Sequence, residues 1–494
     1  MSLIQIKDLS FSYPGSYTPI FDGVQLQIDS TWKLGLIGRN GRGKTTFFRL
    51  LLAQHEYQGS ITHEVAFRYF PYPVANPEKM TLEVLQEACP HAEDWEFMKE
   101  LNLLDVEIDR LYLPFATLSD GEQNKVLLAA LFLNENTFLL IDEPTNHLDD
   151  EARQKIADYL AKKQGFILIS HERRLLDACV DHILAINKAS IELQQGNFSS
   201  WYLNKQQQDQ FELAQNEKLK KEVKRLNEAA KRTASWSNQV EKSKNGTTNS
   251  GTKLDKGYVG HKAAKMMKKS KTHEKRMQEA IHQKEQLLTD VEEIENLKLQ
   301  PLFFKQANQV LAQELVLSYA DKIINQNPLN FTIQNQERVA IVGKNGSGKS
   351  TLLKAILQDS AVNTTGLLKI SPQLIISYVP QDAEFLAGSL KKFSEDKAID
   401  YVLFLAILRK LGFAREQFDK DVASFSAGQK KKVLIAASLC QPAHLYIWDE
   451  PLNYIDLISR IQIEQLILKF QPTLLFVEHD QAFQQKIATK IIQM

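Results

Sequence analysis

Cysteine is scarce: Cys89, Cys179 and Cys440 are the only three in 494 residues, scattered and without CxxC spacing. That excludes a disulfide framework and a cysteine zinc site, and it fits a reducing cytoplasm. Long apolar runs are missing as well. Nothing approaches the roughly 18 residues that span a bilayer, and the opening MSLIQIKDLSFSY alternates like a strand and lacks a signal-peptide core. The expected protein is soluble and stays in the cytoplasm where it is made. Net charge is also absent, 60 basic residues offsetting 60 acidic ones, so the whole chain favours neither a polyanion nor an acidic surface. Proline and glycine vanish from two central stretches, 204–240 and 261–300. The length exceeds one ordinary core and implies two or three domains.

What the chain does contain, it contains twice. LGLIGRNGRGKTTFFRLL is answered by VAIVGKNGSGKSTLLKAI, FATLSDGEQNKVLLAALFL by VASFSAGQKKKVLIAASLC, NTFLLIDEPTNHLDD by AHLYIWDEPLNYIDL, and FILISHERRLL by LLFVEHDQAF. Paired blocks in one order mean two homologous domains, residues 1–203 and 303–494. Residues 204–302 match neither half.

Each half carries G-x-x-x-x-G-K-[ST] between an apolar β-branched run and a helical pattern. The first loop comprises Gly38, Asn40, Gly41, Gly43, Lys44, Thr45 and Thr46. The second comprises Gly343, Asn345, Gly346, Gly348, Lys349, Ser350 and Thr351. Glycines let backbone N–H groups turn around phosphate oxygens, and the following helix adds its positive end. Lys44 and Lys349 are suited to β- and γ-phosphate charge, Thr45 and Ser350 to Mg²⁺; ATP and Mg²⁺ are the expected cofactors. An apolar strand in each half ends on two carboxylates. Asp142 and Asp449 can hold the metal, while Glu143 and Glu450 can act as general base toward water. His171 and His479 follow strands and are candidates to contact the γ-phosphate and orient that water.

LSDGEQ (Leu118 to Gln123) and FSAGQ (Phe425 to Gln429) resemble the signature of ATP-binding-cassette ATPases. The resemblance implies that each signature covers the γ-phosphate held by the opposite P-loop, adding a second helix dipole when the domains close. Ser426 and Gly428 then share a site with Lys44, Thr45, Glu143 and His171. Ser119 and Gly121 share the other with Lys349, Ser350, Glu450 and His479. Tyr13 and Tyr319 match the family's adenine-stacking aromatic or are plain strand-end tyrosines. Departures are visible: Asp120 and Ala427 replace the second signature glycine, and Leu452 and Tyr454 replace a threonine and a histidine. The glutamine of the second half, Gln381, is expected on the metal and water, but Tyr72 stands in its place in the first. The two sites are not expected to be equivalent.

Two cassettes without a membrane span, joined by about 100 charged helix-favouring residues, are similar to the F subfamily, which acts on the ribosome. WKLGLIGRNGRGKTT, with Arg42 in the loop, resembles the Lsa and Vga group of antibiotic-resistance proteins that protect ribosomes, the Lsa type most closely. The implied fold is α/β, two tandem cassette ATPase domains joined by a long α-helical hairpin. The implied partners are the 70S ribosome, through large-subunit rRNA and exit-site or peptidyl tRNA, with no membrane partner and a monomer whose cassettes pair with each other. The implied action is displacement of lincosamides, pleuromutilins and group A streptogramins from the peptidyl-transferase centre. A housekeeping translation factor and the ATPase subunit of a drug exporter are the rival readings; a chromosome-organising ATPase would need much longer coiled coils.

Apolar stripes through Phe211, Leu219, Val223, Leu226 and Ala230, and through Met277, Ile281, Leu288 and Val291, predict the two helices of that hairpin. Its tip is about 242–258. Lys218 to Arg276 holds 18 basic and 5 acidic residues, an excess that favours a polyanion such as RNA. Around the tip, Lys244, Lys253 and Lys256 supply charge and Trp236, Leu254 and Tyr258 supply bulk. The aromatics either stack on unpaired bases or cap the hairpin's own small core.

Overall fold

The computed structural model describes residues 2–15, 19–145, 148, 150–187, 190–243, 268, 299–319, 322–325, 327–344 and 346–494. The chain divides into a unit formed by Met1–Trp201 with Ile294–Met494, and a unit Tyr202–Glu293.

The larger unit contains both halves of the repeat. In the first, a six-stranded sheet runs in the order Ala66–Phe70, Thr137–Asp142, Phe166–Ile169, Lys33–Ile37, His182–Ile186, Ile191–Gln195. All neighbours are parallel except the last pair. In the second, Ile376–Val379, Leu445–Asp449, Leu474–Val477, Arg338–Val342 and Lys490–Gln493 form a wholly parallel sheet in the corresponding order. FILI at 166–169 and LLFV at 474–477 are buried at every residue, as a sheet covered on both faces requires. An antiparallel sheet accompanies each half: Leu3–Phe11 lies between Phe21–Asp29 and Gln58–Thr62, and Asn308–Tyr319 pairs with Lys322–Ile323, Leu329–Gln334 and Asn363–Ile370.

This order places the site. The phosphate-loop strand and the strand ending in paired carboxylates flank one shared neighbour, Phe166–Ile169 or Leu474–Val477, so their C-terminal ends face a common crevice. Helices Lys44–Leu51 and Lys349–Ile356 start there.

The smaller unit holds most of a single 46-residue helix, Phe198–Ser243, free of proline and glycine. Phe211, counted into the predicted stripe, is 64% exposed, whereas Leu219 and Val223 are half-buried. The covered face instead runs through Glu212 and the buried Asn216 to Leu219 and Val223, at steps of four, three and four, and Phe211 lies off it. Trp236 lies in this helix. Lys244, Lys253, Leu254, Lys256 and Tyr258, and the second predicted helix apart from Lys268, lie outside the described residues.

Candidate functional site

Both phosphate loops need glycine for steric reasons. Gly43 and Gly348 have φ of +94° and +98°, and an added Cβ would fall 2.5 Å from Ile20 Cγ2 or 2.3 Å from Ile324 Cγ2. Gly41 and Gly346, at φ of +81° and +78°, repeat the left-handed turn with open space around them. Lys44 Nζ donates to the Gly38 carbonyl at 2.8 Å, and Lys349 Nζ to those of Gly343 at 2.9 Å and Lys344 at 3.0 Å. Burial lowers the Lys44 pKa, with Asp456 and Glu143 opposing. Asn345 lies outside the described residues. Thr46 and Thr351 are buried beside the two lysines.

The hydroxyls that follow meet the first carboxylates. Thr45 Oγ1 donates to Asp142 Oδ2 at 3.3 Å, and in the second half Ser350 favours the charged form of Asp449. Burial raises the pKa of both acids. Each next residue is left-handed: Glu143 has φ +49° and Glu450 φ +45°. Their amides still donate to Ile169 O at 3.0 Å and Val477 O at 2.9 Å. Alternating strand residues would otherwise point apart, so this backbone strain, about 1–3 kcal/mol each, is what re-aims the second carboxylate at the strand end. His171 Nε2 lies 3.3 Å from Glu143 Oε1, and His479 Nε2 lies 3.4 Å from Glu450 Oε1.

The two glutamates differ electrostatically. Desolvation, reinforced by Asp142, pushes Glu143 up to about 8. Burial also works against the Glu450 charge, but His479, Gln381 and Asn453 outweigh it and hold the carboxyl below its ordinary value. Asn453 Nδ2 donates to Glu450 Oε2 at 2.6 Å. His171 is driven well below its ordinary pKa, by burial first and then by Lys44 and Arg460, so it is neutral.

The halves meet head to tail. Asn40 Nδ2 donates to Tyr454 O at 2.8 Å, the Asn40 amide to Asp456 Oδ2 at 3.4 Å, and Arg39 Nη1 to Lys410 O at 3.4 Å. A Cβ on Gly428 would lie 2.9 Å from Asn40 Nδ2 and 2.4 Å from Tyr454 O, so this retained signature glycine tolerates nothing larger. Ser426 caps its helix by accepting from the Gln429 amide at 3.3 Å, and Ser119 does the same from Glu122 at 3.3 Å. The first loop therefore sits against the second half's signature. A cavity of about 530 Å³ is lined by Asp120, Lys349, Ser350, Gln381, Glu450 and His479, and also by Glu143 and His171 of the first half. Gly121 packs against Leu148.

Tyr13 OH shares a 2.9 Å hydrogen bond with Thr46 Oγ1, and its ring meets Phe11 edge-on at 5.0 Å. Tyr319 packs partly buried against the second half's apolar cluster.

Sequence reasoning missed several participants. Tyr69 OH, three residues before the noted Tyr72, donates to Asp142 Oδ2 at 3.2 Å. Asp456, fully buried, pairs with Lys432 at 2.6 Å and is held far below the usual carboxylate range, since this cation outweighs desolvation. Arg460 reaches Ile455 O at 2.9 Å and Asp480 at 3.4 Å. The one available signal was a charge recurring inside the repeated blocks.

Two phosphate loops, each with its own carboxylates and facing the other half's signature helix, define a tandem nucleotide-hydrolysing protein. The ABC transporter family model matches residues 21–146 and 326–453, more than half of the chain. The chain belongs to that family, as an ABC-F family ATP-binding protein and an ATPase. It is 29% identical to the ribosome protection protein VmlR of Bacillus subtilis over 489 residues, covering 96% of this chain and 84% of that one. It is 25% identical to ABC transporter F family member 2 of Arabidopsis thaliana, covering 99% and 76%. Among solved structures, the archaeal ribosome recycling factor aABCE1, in complex with the ribosomal stalk protein aP1, superimposes with a TM-score of 0.62 at 20% identity, covering 98% of this chain and 87% of that one. That last likeness concerns the fold. No helix among the described residues is long and apolar enough to cross a membrane.

Proposed function

We propose that the protein binds the 70S ribosome in the cytoplasm when ATP draws its two cassettes together, and that its linker displaces lincosamides, pleuromutilins and group A streptogramins from the peptidyl-transferase centre. The observation that carries the reading is the helix Phe198–Ser243. At 1.5 Å per residue its 46 residues extend about 70 Å, far beyond what joining two adjacent domains requires. The basic sequence it leads into is suited to rRNA and to tRNA in the exit or peptidyl site. The similarity to a ribosome protection protein along nearly the whole chain supports the same conclusion. In this reading Lys244, Lys253 and Lys256 meet RNA phosphates, and Trp236, Leu254 and Tyr258 press on bases.

At the nucleotide sites, Lys44 and Lys349 exchange loop carbonyls for β- and γ-phosphate oxygens, and the glycine turns of each loop admit those oxygens to the backbone. The signature helices of Ser119 and Ser426 close over the opposite loop. A hydroxyl beside a buried carboxylate, Thr45 with Asp142 and Ser350 with Asp449, is the hard-oxygen donor set that Mg²⁺ takes, with Gln381 adding an amide oxygen in the second site only. When bound, the metal supplies positive charge against the phosphates. Glu450, whose charged form His479, Gln381 and Asn453 favour, takes the proton of attacking water while His479 orients it. Glu143, with His171, does the same less readily because its site favours the protonated carboxyl. Hydrolysis reopens the cassettes and releases the ribosome.

The test is co-sedimentation of the Glu143→Gln, Glu450→Gln protein with ribosomes in ATP, beside a drug challenge of a susceptible host carrying the wild type. The double variant should bind ATP, fail to hydrolyse it and pellet with ribosomes, while the wild type protects. Recovery in the membrane pellet, or no protection against any of the three drug classes, overturns the reading.

A further inference from the structure

Helix Ala427–Cys440 carries a lysine in its interior that the chemistry above leaves unused. Lys431 is 2% exposed. Its ammonium donates to Pro380 O at 2.8 Å, Gln381 O at 2.9 Å and Asp449 O at 3.2 Å. Those three carbonyls belong to two separate segments: the turn carrying Gln381, and the end of the strand carrying Asp449 and Glu450. A buried ammonium has three donors, and all three are satisfied here by backbone. Holding a charge in such a place is costly, so the arrangement is a fixed brace and not a solvated surface lysine.

What it braces is the glutamine. The Gln381 side chain lines the same cavity as the Glu450 carboxylate and is one of the groups that favour its charged form. With the Gln381 backbone tied to the Asp449 carbonyl through one ammonium, amide and carboxylate stay in register. The first half has none of these parts: its block FATLSDGEQNKV places Asn124 where the second has Lys431, and YFPYP places Tyr72 where the second has Gln381. There the link to the metal-side carboxylate comes from the strand itself, through Tyr69 OH on Asp142 at 3.2 Å.

We propose that Lys431 is a positioning residue that holds Gln381 against Glu450, and that this brace makes the second nucleotide site the faster of the two. The inference rests on the assignment of Glu450 as general base, and its test separates the two ideas. In a Glu143→Gln chain, where the second site alone turns over, kcat and KM for ATP are measured for Lys431→Met, Lys431→Asn, Gln381→Ala and Lys431→Met with Gln381→Ala. Lys431→Met and Lys431→Asn should lower kcat by about ten- to a hundredfold, the range for a displaced catalytic group, with KM changed less than about threefold. Gln381→Ala should match them, and the double variant should be no slower than Gln381→Ala, because both changes remove one contact. Lys431→Arg, which keeps the charge and its donors, should recover part of kcat. Multiplicative losses in the double variant, or an unchanged kcat in Lys431→Met, overturn the inference. If Lys431→Met does not fold, Lys431→Arg alone with Gln381→Ala still gives the coupling. Turnover that persists in Glu450→Gln on the same background instead removes the general-base assignment, whatever Lys431 does.

Discussion

Asp456→Ala should destabilise the cassette unit more than a typical single change, and the structure sets the size. The side chain is fully buried. Its Oδ2 accepts from Lys432 Nζ at 2.6 Å, Ser459 Oγ at 3.0 Å and, across the interface, the Asn40 amide at 3.4 Å, while Oδ1 accepts from the Ser459 amide at 2.9 Å. Truncation strips the 2%-exposed Lys432 of its counter-ion and leaves its ammonium on the Leu411 carbonyl at 2.7 Å. Breaking a buried pair from one side costs about 3–5 kcal/mol. At about 2–4 °C per kcal/mol for a cassette-sized unit, the melting temperature should fall by about 6–20 °C. Desolvation alone would raise the Asp456 pKa, but Lys432 and its hydrogen bonds hold it well below 3.8. Folding therefore favours the ionised form, whose contribution is complete above the unfolded value and is lost only as pH falls through the much lower folded one. The deficit of the variant should accordingly be constant from neutral pH down to about pH 5 and shrink only in stronger acid. The assay is thermal melting of nucleotide-free protein followed by near-ultraviolet circular dichroism, with Asp456→Leu, Lys432→Met as control. Replacing both charges should restore most of the loss, since no ion is then left unpaired. A fall of less than about 2 °C for Asp456→Ala would falsify the argument that this buried pair stabilises the unit.

Three further outcomes follow from the same contacts and from the sequence. Because Glu143 is raised to about 8 from an unfolded 4.5, the folded state binds the extra proton between those values and loses stability as pH rises through them; Glu143→Gln should flatten that slope, and parallel melting curves for both proteins would refute it. Glu450→Gln alone should lower steady-state ATP turnover more than Glu143→Gln alone, read by phosphate release, and equal rates would make the Gln381–Tyr72 difference irrelevant. Replacing Lys244 to Lys256 by a short Gly-Ser turn should leave basal ATPase and solubility intact and sharply reduce drug protection, with ribosome binding weakened less; full protection would make that segment a mere connector.

How much of this was legible beforehand depended on how far apart in the chain the interacting residues lie. The phosphate loops were readable because glycine turn, lysine and hydroxyl fall within eight residues, and the two copies reinforced each other. The paired carboxylates were readable as types, but not the left-handed backbone at Glu143 and Glu450, since periodicity alone leaves adjacent strand residues on opposite faces. Pairing of the halves was accessible only through a family resemblance: Asn40 and Tyr454 share no local pattern, yet they meet at 2.8 Å. Tyr69 was passed over because the proline in YFPYP aligned Tyr72 with Gln381, whereas edge-strand pairing of Tyr69 with Leu140 brings the earlier tyrosine to Asp142. Lys431 and Lys432 illustrate the deeper obstacle. FSAGQKKKVLIAAS puts three consecutive lysines at a helix start, and two of them are 2% exposed. Three residues in a row cover most of one helical turn, so at least one must point inward once the helix is packed on both sides. A charge run entering an apolar helix without a break is thus itself a signal of buried pairing, and Asp456 and the Gln381 turn are where this chain places the partners.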